Sequence, residues 1–182
     1  MTTALATVRT EMDRVLSQVD EAAPDRLVER LLAAPRVFTA GEGRSGLMAK
    51  AFAMRLMHLG LTVYSVGETI TPGFDEADVL LAVSGSGATA GTLRAARQVR
   101  QKNGTVLAVT TDPDSPLADL AVEALVVPAA TKARAAGEAA TQQPLGSLFD
   151  QCTHVLLDAI CLEITRRRDI TLDEARSQHA SE

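Results

Sequence analysis

Val79-Leu80-Leu81-Ala82-Val83-Ser84-Gly85-Ser86-Gly87-Ala88-Thr89-Ala90-Gly91 is the stretch whose reading decides the fold. Its five leading residues are all apolar, the pattern of a strand covered on both faces, as in parallel sheets. Hydroxyls and glycines follow, and Thr92 to Asn103 then reads as a helix. A strand, a glycine-hydroxyl turn and a helix N-terminus together make an anion site, because unpaired backbone N–H groups and the positive end of the helix dipole face the turn. Gly85 and Gly87 allow close backbone approach, while Ser84, Ser86 and Thr89 supply hydroxyl donors. This turn carries neither the lysine of a Walker-type loop nor the glycine spacing of a dinucleotide turn.

The rest of the composition suits helices packed on a parallel sheet. At 182 residues the chain fits one domain with a sizeable core, and 46% of its residues are apolar, mostly Ala, Leu and Val. A net charge of −5 leaves no basic stripe to replace phosphate counterions, which argues against a nucleic-acid partner. Cys152 and Cys161 lie in one apolar helical pattern and read as buried free thiols. No His, Cys, Asp or Glu grouping has metal-ligand spacing, so no metal is expected. Without a basic-then-apolar leader or an apolar run of spanning length, the chain is expected to be soluble, cytoplasmic and free of membrane partners.

Outward from the central stretch, strand and helix alternate. Strands are expected at Val37–Ala40, Thr62–Val66, Val79–Val83, Thr105–Thr110 and Ala124–Val127, and helices at Leu47–Leu59, Thr92–Asn103 and Pro116–Ala121. Connections of these lengths allow right-handed crossovers, which predicts a three-layer α/β sandwich around a five-stranded parallel sheet. Residues 1–33 read as a helical pair broken near Pro24; Leu5, Val8, Met12, Val15, Leu16 and Val19 share one face of the first helix. That stripe is richer in apolar surface than a cap on a sheet needs, which suggests a subunit contact. Residues 128–146 form a long irregular loop, and Ser147 to Thr165 a long apolar helix. The charged tail, Arg166 to Glu182, reads as a frayed helix or arm. The chain is thus one domain: helices over 1–33, an α/β core over 35–165 and a tail over 166–182.

Two more clusters fall at the same edge of such a sheet. Gly41-Glu42-Gly43-Arg44-Ser45-Gly46 follows the first strand and opens a helix; Ser45 can donate and Arg44 can bring positive charge. Ligands of open α/β sheets bind beyond the carboxyl ends of the strands, where neighbouring connections diverge. Two hydroxyl-glycine turns at that edge point to a small phosphorylated ligand. Glu68, in Gly67-Glu68-Thr69-Ile70-Thr71-Pro72 after the second strand, is either a base, a ligand for sugar hydroxyls or a solvated loop residue. His58 ends the first core helix, as a helix C-terminal cation or a subunit-contact residue.

With these turns, Ala53-Met54-Arg55-Leu56-Met57-His58-Leu59-Gly60, Asp114-Ser115-Pro116-Leu117-Ala118 and Gln143-Pro144-Leu145-Gly146-Ser147-Leu148-Phe149 resemble the sugar isomerase (SIS) domain family, and within it the 6-phospho-3-hexuloisomerase branch of the ribulose monophosphate pathway. The tail Arg176–Glu182 echoes that branch's His-Ala ending. The resemblance implies interconversion of 3-hexulose 6-phosphate and fructose 6-phosphate through an enediol, with no cofactor. It implies that Arg44, Ser45 and the turn Ser84, Gly85, Ser86, Gly87 and Thr89 hold the sugar phosphate. Asp150, Glu68, His58 and His179 are the acid–base candidates. Asp150 stands where the branch has Glu and is favoured as the carbon base for that reason. SIS sites are built between subunits, so a homotetramer arranged as a dimer of dimers is expected. The alternatives are an SIS isomerase of arabinose or heptose phosphate and a non-catalytic sugar-phosphate sensor.

Overall fold

The computed structural model describes residues 3–132 and 140–179. Five strands, β1 (Val37–Gly41), β2 (Val63–Ser65), β3 (Val79–Val83), β4 (Thr105–Thr110) and β5 (Glu123–Val126), pair in parallel in the order β2-β1-β3-β4-β5. The helices are α1 (Ala4–Leu16), α2 (Ala23–Ala33), α3 (Gly43–His58), α4 (Ala90–Gln101), α5 (Pro116–Leu120), α6 (Ser147–Arg167) and α7 (Leu172–Ser177). This is the expected doubly wound sandwich preceded by a helical pair.

The two-residue period of a strand sorts the core into two faces. Val79, Leu81 and Val83 join Val37, Leu107 and Val109 beneath α3 and α6, which contribute Phe52, Leu56, Leu157 and Ile160. Leu80 and Ala82 join Phe38, Val106 and Ala108 on the other face, under Leu93, Ala96 and Val99 of α4 and Leu117 of α5. All five side chains of β3 are buried. The β2–β3 connection carries no helix; Phe74 within it packs edge-on against Phe38, with ring centroids 4.7 Å apart.

Several boundaries differ from the sequence reading. β2 is confined to Val63–Ser65, because an edge strand pairs on one side only. α3 begins at Gly43 instead of Leu47, so the glycine-hydroxyl turn itself becomes the first turn of the helix. Pro24 does not break a helix; it sits in the first turn of α2, where its missing N–H is harmless. The tail folds into α7 behind a capping box formed by Thr171 and Glu174. The apolar stripe of α1 is used within the subunit: Val15 is fully buried, and Met12, Leu16 and Val19 pack against the core shared with α6. Leu5 alone of that stripe is strongly exposed, at 68%. Residues 1–2, 133–139 and 180–182 of the helices, loop and tail outlined above lie outside the described residues.

The sheet order places a switch point between β1 and β3. From β1 the chain moves outward to β2, then returns across β1 to β3, so the connections leaving β1 and β3 diverge on opposite faces. A crevice opens between their carboxyl ends. The two hydroxyl-glycine turns begin there.

Candidate active site

The turn after β1 is shaped by close backbone contact. A β-carbon at Gly46 would lie 2.6 Å from the carbonyl oxygen of Gly41, so glycine alone permits this helix to start so near its strand. The turn after β3 is equally constrained: Gly87 has φ 60°, and a β-carbon there would meet Ser115 Oγ at 2.1 Å. Both turns are thereby fixed as rims of one cavity of about 430 Å³. Glu42, Arg44, Ser45, Ser86, Thr89 and Asp150 are among its lining residues.

Asp150 is the central group. It lies in the first turn of α6 and is 4% exposed. Its Oδ1 accepts a hydrogen bond from Ser45 Oγ at 2.9 Å and its Oδ2 one from Arg44 Nε at 3.2 Å. A buried carboxylate needs such donors to remain in a folded interior. Here they come from residues more than a hundred positions earlier in the chain, brought across by the packing of α3 on α6. Opposite, Ser84 Oγ and Thr89 Oγ1 bond each other at 2.9 Å, and Ser86 Oγ accepts from the Ala88 N–H at 3.3 Å. Ser84 is buried behind the turn, whereas Ser86 and Thr89 face the cavity. Thr89 is also the N-cap residue of α4, so its side chain sits where backbone N–H groups are unpaired.

The structure therefore gathers Arg44, Ser45, Gly85, Ser86, Thr89 and Asp150 around one cavity, with Ser84 and Gly87 in the supporting turn. The other three candidates lie elsewhere. Glu68 is half-exposed, ion-paired with Lys50 Nζ at 3.2 Å, and lines a separate groove with Gln98, Gln101 and Lys102. His58 and His179 stack at 5.1 Å between ring centroids, at the C-terminal end of α3, whose opposite end carries Arg44 and Ser45. Burial, His179 and Arg55 together hold the His58 pKa below the usual histidine value, and its Nδ1 has no hydrogen-bond partner among the described residues.

Sequence reasoning assigned no role to Glu42, Thr131, Lys132, Leu145 or Phe149, all of which line the cavity. Lys132 left a signal: it is a cation six residues past β5, in the loop that leaves the same sheet edge. Gly41, Gly43 and Gly46 also have the G-x-G-x-x-G spacing of dinucleotide turns, a signal the reading of the 84–91 turn passed over. In this fold Arg44 and Ser45 of that turn are engaged with Asp150. Among the described residues no three His, Cys, Asp or Glu side chains group as a metal site. Cys152 and Cys161 are buried, and burial pushes their thiols up to about 11 and about 12, so neither is an available nucleophile. No described helix is long and apolar enough to cross a membrane.

Comparison with known proteins gives this arrangement its class. The SIS domain family model matches residues 30–153, and the chain belongs to that family. Within it, the chain is 38% identical over 181 residues to the 3-hexulose-6-phosphate isomerase of Mycobacterium gastri, covering all of this chain and 90% of that enzyme. It is 34% identical to the 3-hexulose-6-phosphate isomerase of Bacillus subtilis, over 97% of this chain and 96% of the relative. A crystal structure from Methanococcus jannaschii, reported as inferring that same molecular function, superposes with a TM-score of 0.84 at 29% identity, over 97% of each chain.

Proposed function

We propose that this chain is a 3-hexulose-6-phosphate isomerase that interconverts its substrate with fructose 6-phosphate by proton transfer through an enediol. The observation that carries the reading is Asp150: a buried carboxylate, oriented by Ser45 and Arg44, at the wall of a cavity whose far rim is a phosphate-type turn. The full-length likeness to enzymes of that name supports the substrate.

Moving a carbonyl between C3 and C2 requires a base that reaches both carbons and donors that reach both oxygens. It also requires an anchored phosphate to keep the register. The Ser86–Thr89 turn and the N-terminus of α4 hold the phosphate. Asp150 removes the proton from one carbon and returns it to the neighbouring one. Arg44 and Lys132 bring positive charge to the same cavity and stabilise the enediolate oxygens.

Glu68, His58 and His179 act on a sugar only where another subunit carries them to its cavity. We assign them that role in a dimer of dimers, with Glu68 binding hydroxyls. Exposed Leu47, Met54 and Met57 on α3 and Val155 and Leu162 on α6 support such assembly, since α3 and α6 pack side by side. Sedimentation at assay concentration tests it; a fully active monomer would refute it. The activity is tested by turnover of 3-hexulose 6-phosphate against arabinose 5-phosphate and sedoheptulose 7-phosphate. Preference for either competitor overturns the substrate assignment.

A further inference from the structure

We propose that Glu11 is a positioning residue for the Asp150 cavity: its buried carboxylate on α1 grips residues 141–143 and so fixes where α6 starts. This inference rests on the reading of Asp150 as the base.

Glu11 is 7% exposed, although Arg9, Thr10, Asp13 and Arg14 around it face solvent. Three donors converge on its two oxygens. Thr141 Oγ1 donates to Oε2 at 2.6 Å, Gln143 Nε2 to the same oxygen at 3.0 Å, and the Gln142 N–H to Oε1 at 2.8 Å. Only an ionised carboxylate accepts from all three, because an amide in its place turns one acceptor into a donor. Arg14, one turn further along α1, donates to the Ala140 carbonyl and grips the same segment.

The chain from this grip to Asp150 has no slack. The Ser147 N–H donates to the Pro144 carbonyl and the Asp150 N–H to the Gly146 carbonyl, each at 3.1 Å. Leu145, between them, is held at φ 52° and lines the cavity beside Gly146. Displacement at 141–143 therefore reaches the cavity wall and the Asp150 carboxylate. The turn after β3, which meets α6 through Phe149 against Gly85, is anchored separately by bonds from Thr110, Thr111 and Leu117. Misalignment of a base by an ångström lowers the chemical step far more than it lowers binding.

The test uses the full chain with Glu11→Gln and Thr141→Val. Glu11→Gln is expected to lower kcat about 10–100-fold, with KM and competitive inhibition by inorganic phosphate within about twofold of wild type. Thr141→Val, which removes one donor of the three, is expected to lower kcat less and in the same way. Hydrogen exchange of the Gln142 amide should accelerate in both. Native kcat in both variants, or a loss of kcat matched by a rise in KM and a fall in Tm, overturns the proposal. Should Glu11→Gln not fold, Thr141→Val decides alone by the same split of kcat from KM. A wild-type chain inert toward the sugar phosphate refutes the function instead, and unchanged Gln142 exchange then refutes the grip independently.

Discussion

Two buried aspartates sit near opposite edges of the sheet, each beside an arginine, and they are put to different uses. Asp78, 1% exposed, precedes β3 at the amino edge. Its carboxylate takes a two-pronged bond from Arg36, at 2.8 and 2.6 Å, and a backbone N–H from Asp75 at 2.6 Å. Asp150, at the carboxyl edge, takes one guanidine N–H at 3.2 Å and one hydroxyl at 2.9 Å, and it borders the cavity. A forked arginine fixes a carboxylate by geometry as well as charge. Asp78 has its donors in place and serves as a fastener. Asp150 has fewer donors and faces a cavity, which is what the proposed role as a base requires. How far a buried acid is saturated by its own protein separates scaffold from chemistry here.

That contrast is broken most sharply by paired substitutions. Asp150→Asn keeps the shape and removes the proton acceptor, so kcat is expected to fall about 10²–10⁴-fold with little change in KM or Tm. Deuterium incorporation from solvent into the product C–H should fall with it. Asp78→Ala should do the reverse, removing about 1–3 kcal/mol of stability by leaving the half-buried Arg36 and the Asp75 N–H without their acceptor, while the folded fraction keeps its turnover. Denaturant melts read alongside kcat per folded molecule would expose any mixing of the two roles.

A smaller effect belongs to the turn proposed to hold the phosphate. Ser86→Ala should weaken substrate and inorganic phosphate alike by about 1–3 kcal/mol, the usual loss of a hydrogen bond to a charged group. Unchanged KM and unchanged phosphate inhibition would remove Ser86 from the anion site.

The smallest effects appear in the acid limb of stability. The His58 pKa is depressed by burial, and by His179 and Arg55, so the unfolded chain binds the proton more readily than the folded one. Stability from this group is complete above the ordinary histidine value of 6.5 and declines as pH falls below it. At Glu11 burial alone would raise the pKa, but hydrogen bonds from Thr141, Gln142 and Gln143 and the charge of Arg14 outweigh it. Its contribution is complete above 4.5 and is lost as pH falls through the lowered folded value. Thermal melts from pH 8 to 3 should show both declines; His58→Asn should flatten the first and Glu11→Gln the second.

The fold was legible because its central strands carry unbroken apolar runs. Val79–Val83 and Thr105–Thr110 were read to the residue, since burial on both faces leaves no room for polar interruption. The short edge strand β2 was overextended for the converse reason. The rims of the cavity were legible as glycine-hydroxyl turns. Asp150 was found through the family resemblance, and its link to Ser45 and Arg44 comes from a packing that no local pattern encodes. Glu11 was missed although it left a mark. It falls at helical spacing from Val8 and Val15, on the apolar face of α1, where a carboxylate is out of place unless donors await it.

α6 also has a consequence for how the chain comes into being. It packs against α1, α2 and α3, all made long before it during synthesis. Until Ser147–Arg167 has been made, the sides of α1, α2 and α3 that meet α6 stay uncovered, although α3 already lies on the sheet. A growing chain thus presents a sticky, half-finished surface for most of its translation, a state prone to aggregation. The helix that closes this surface is the one that delivers Asp150. Closure of that surface and arrival of the proposed base therefore coincide.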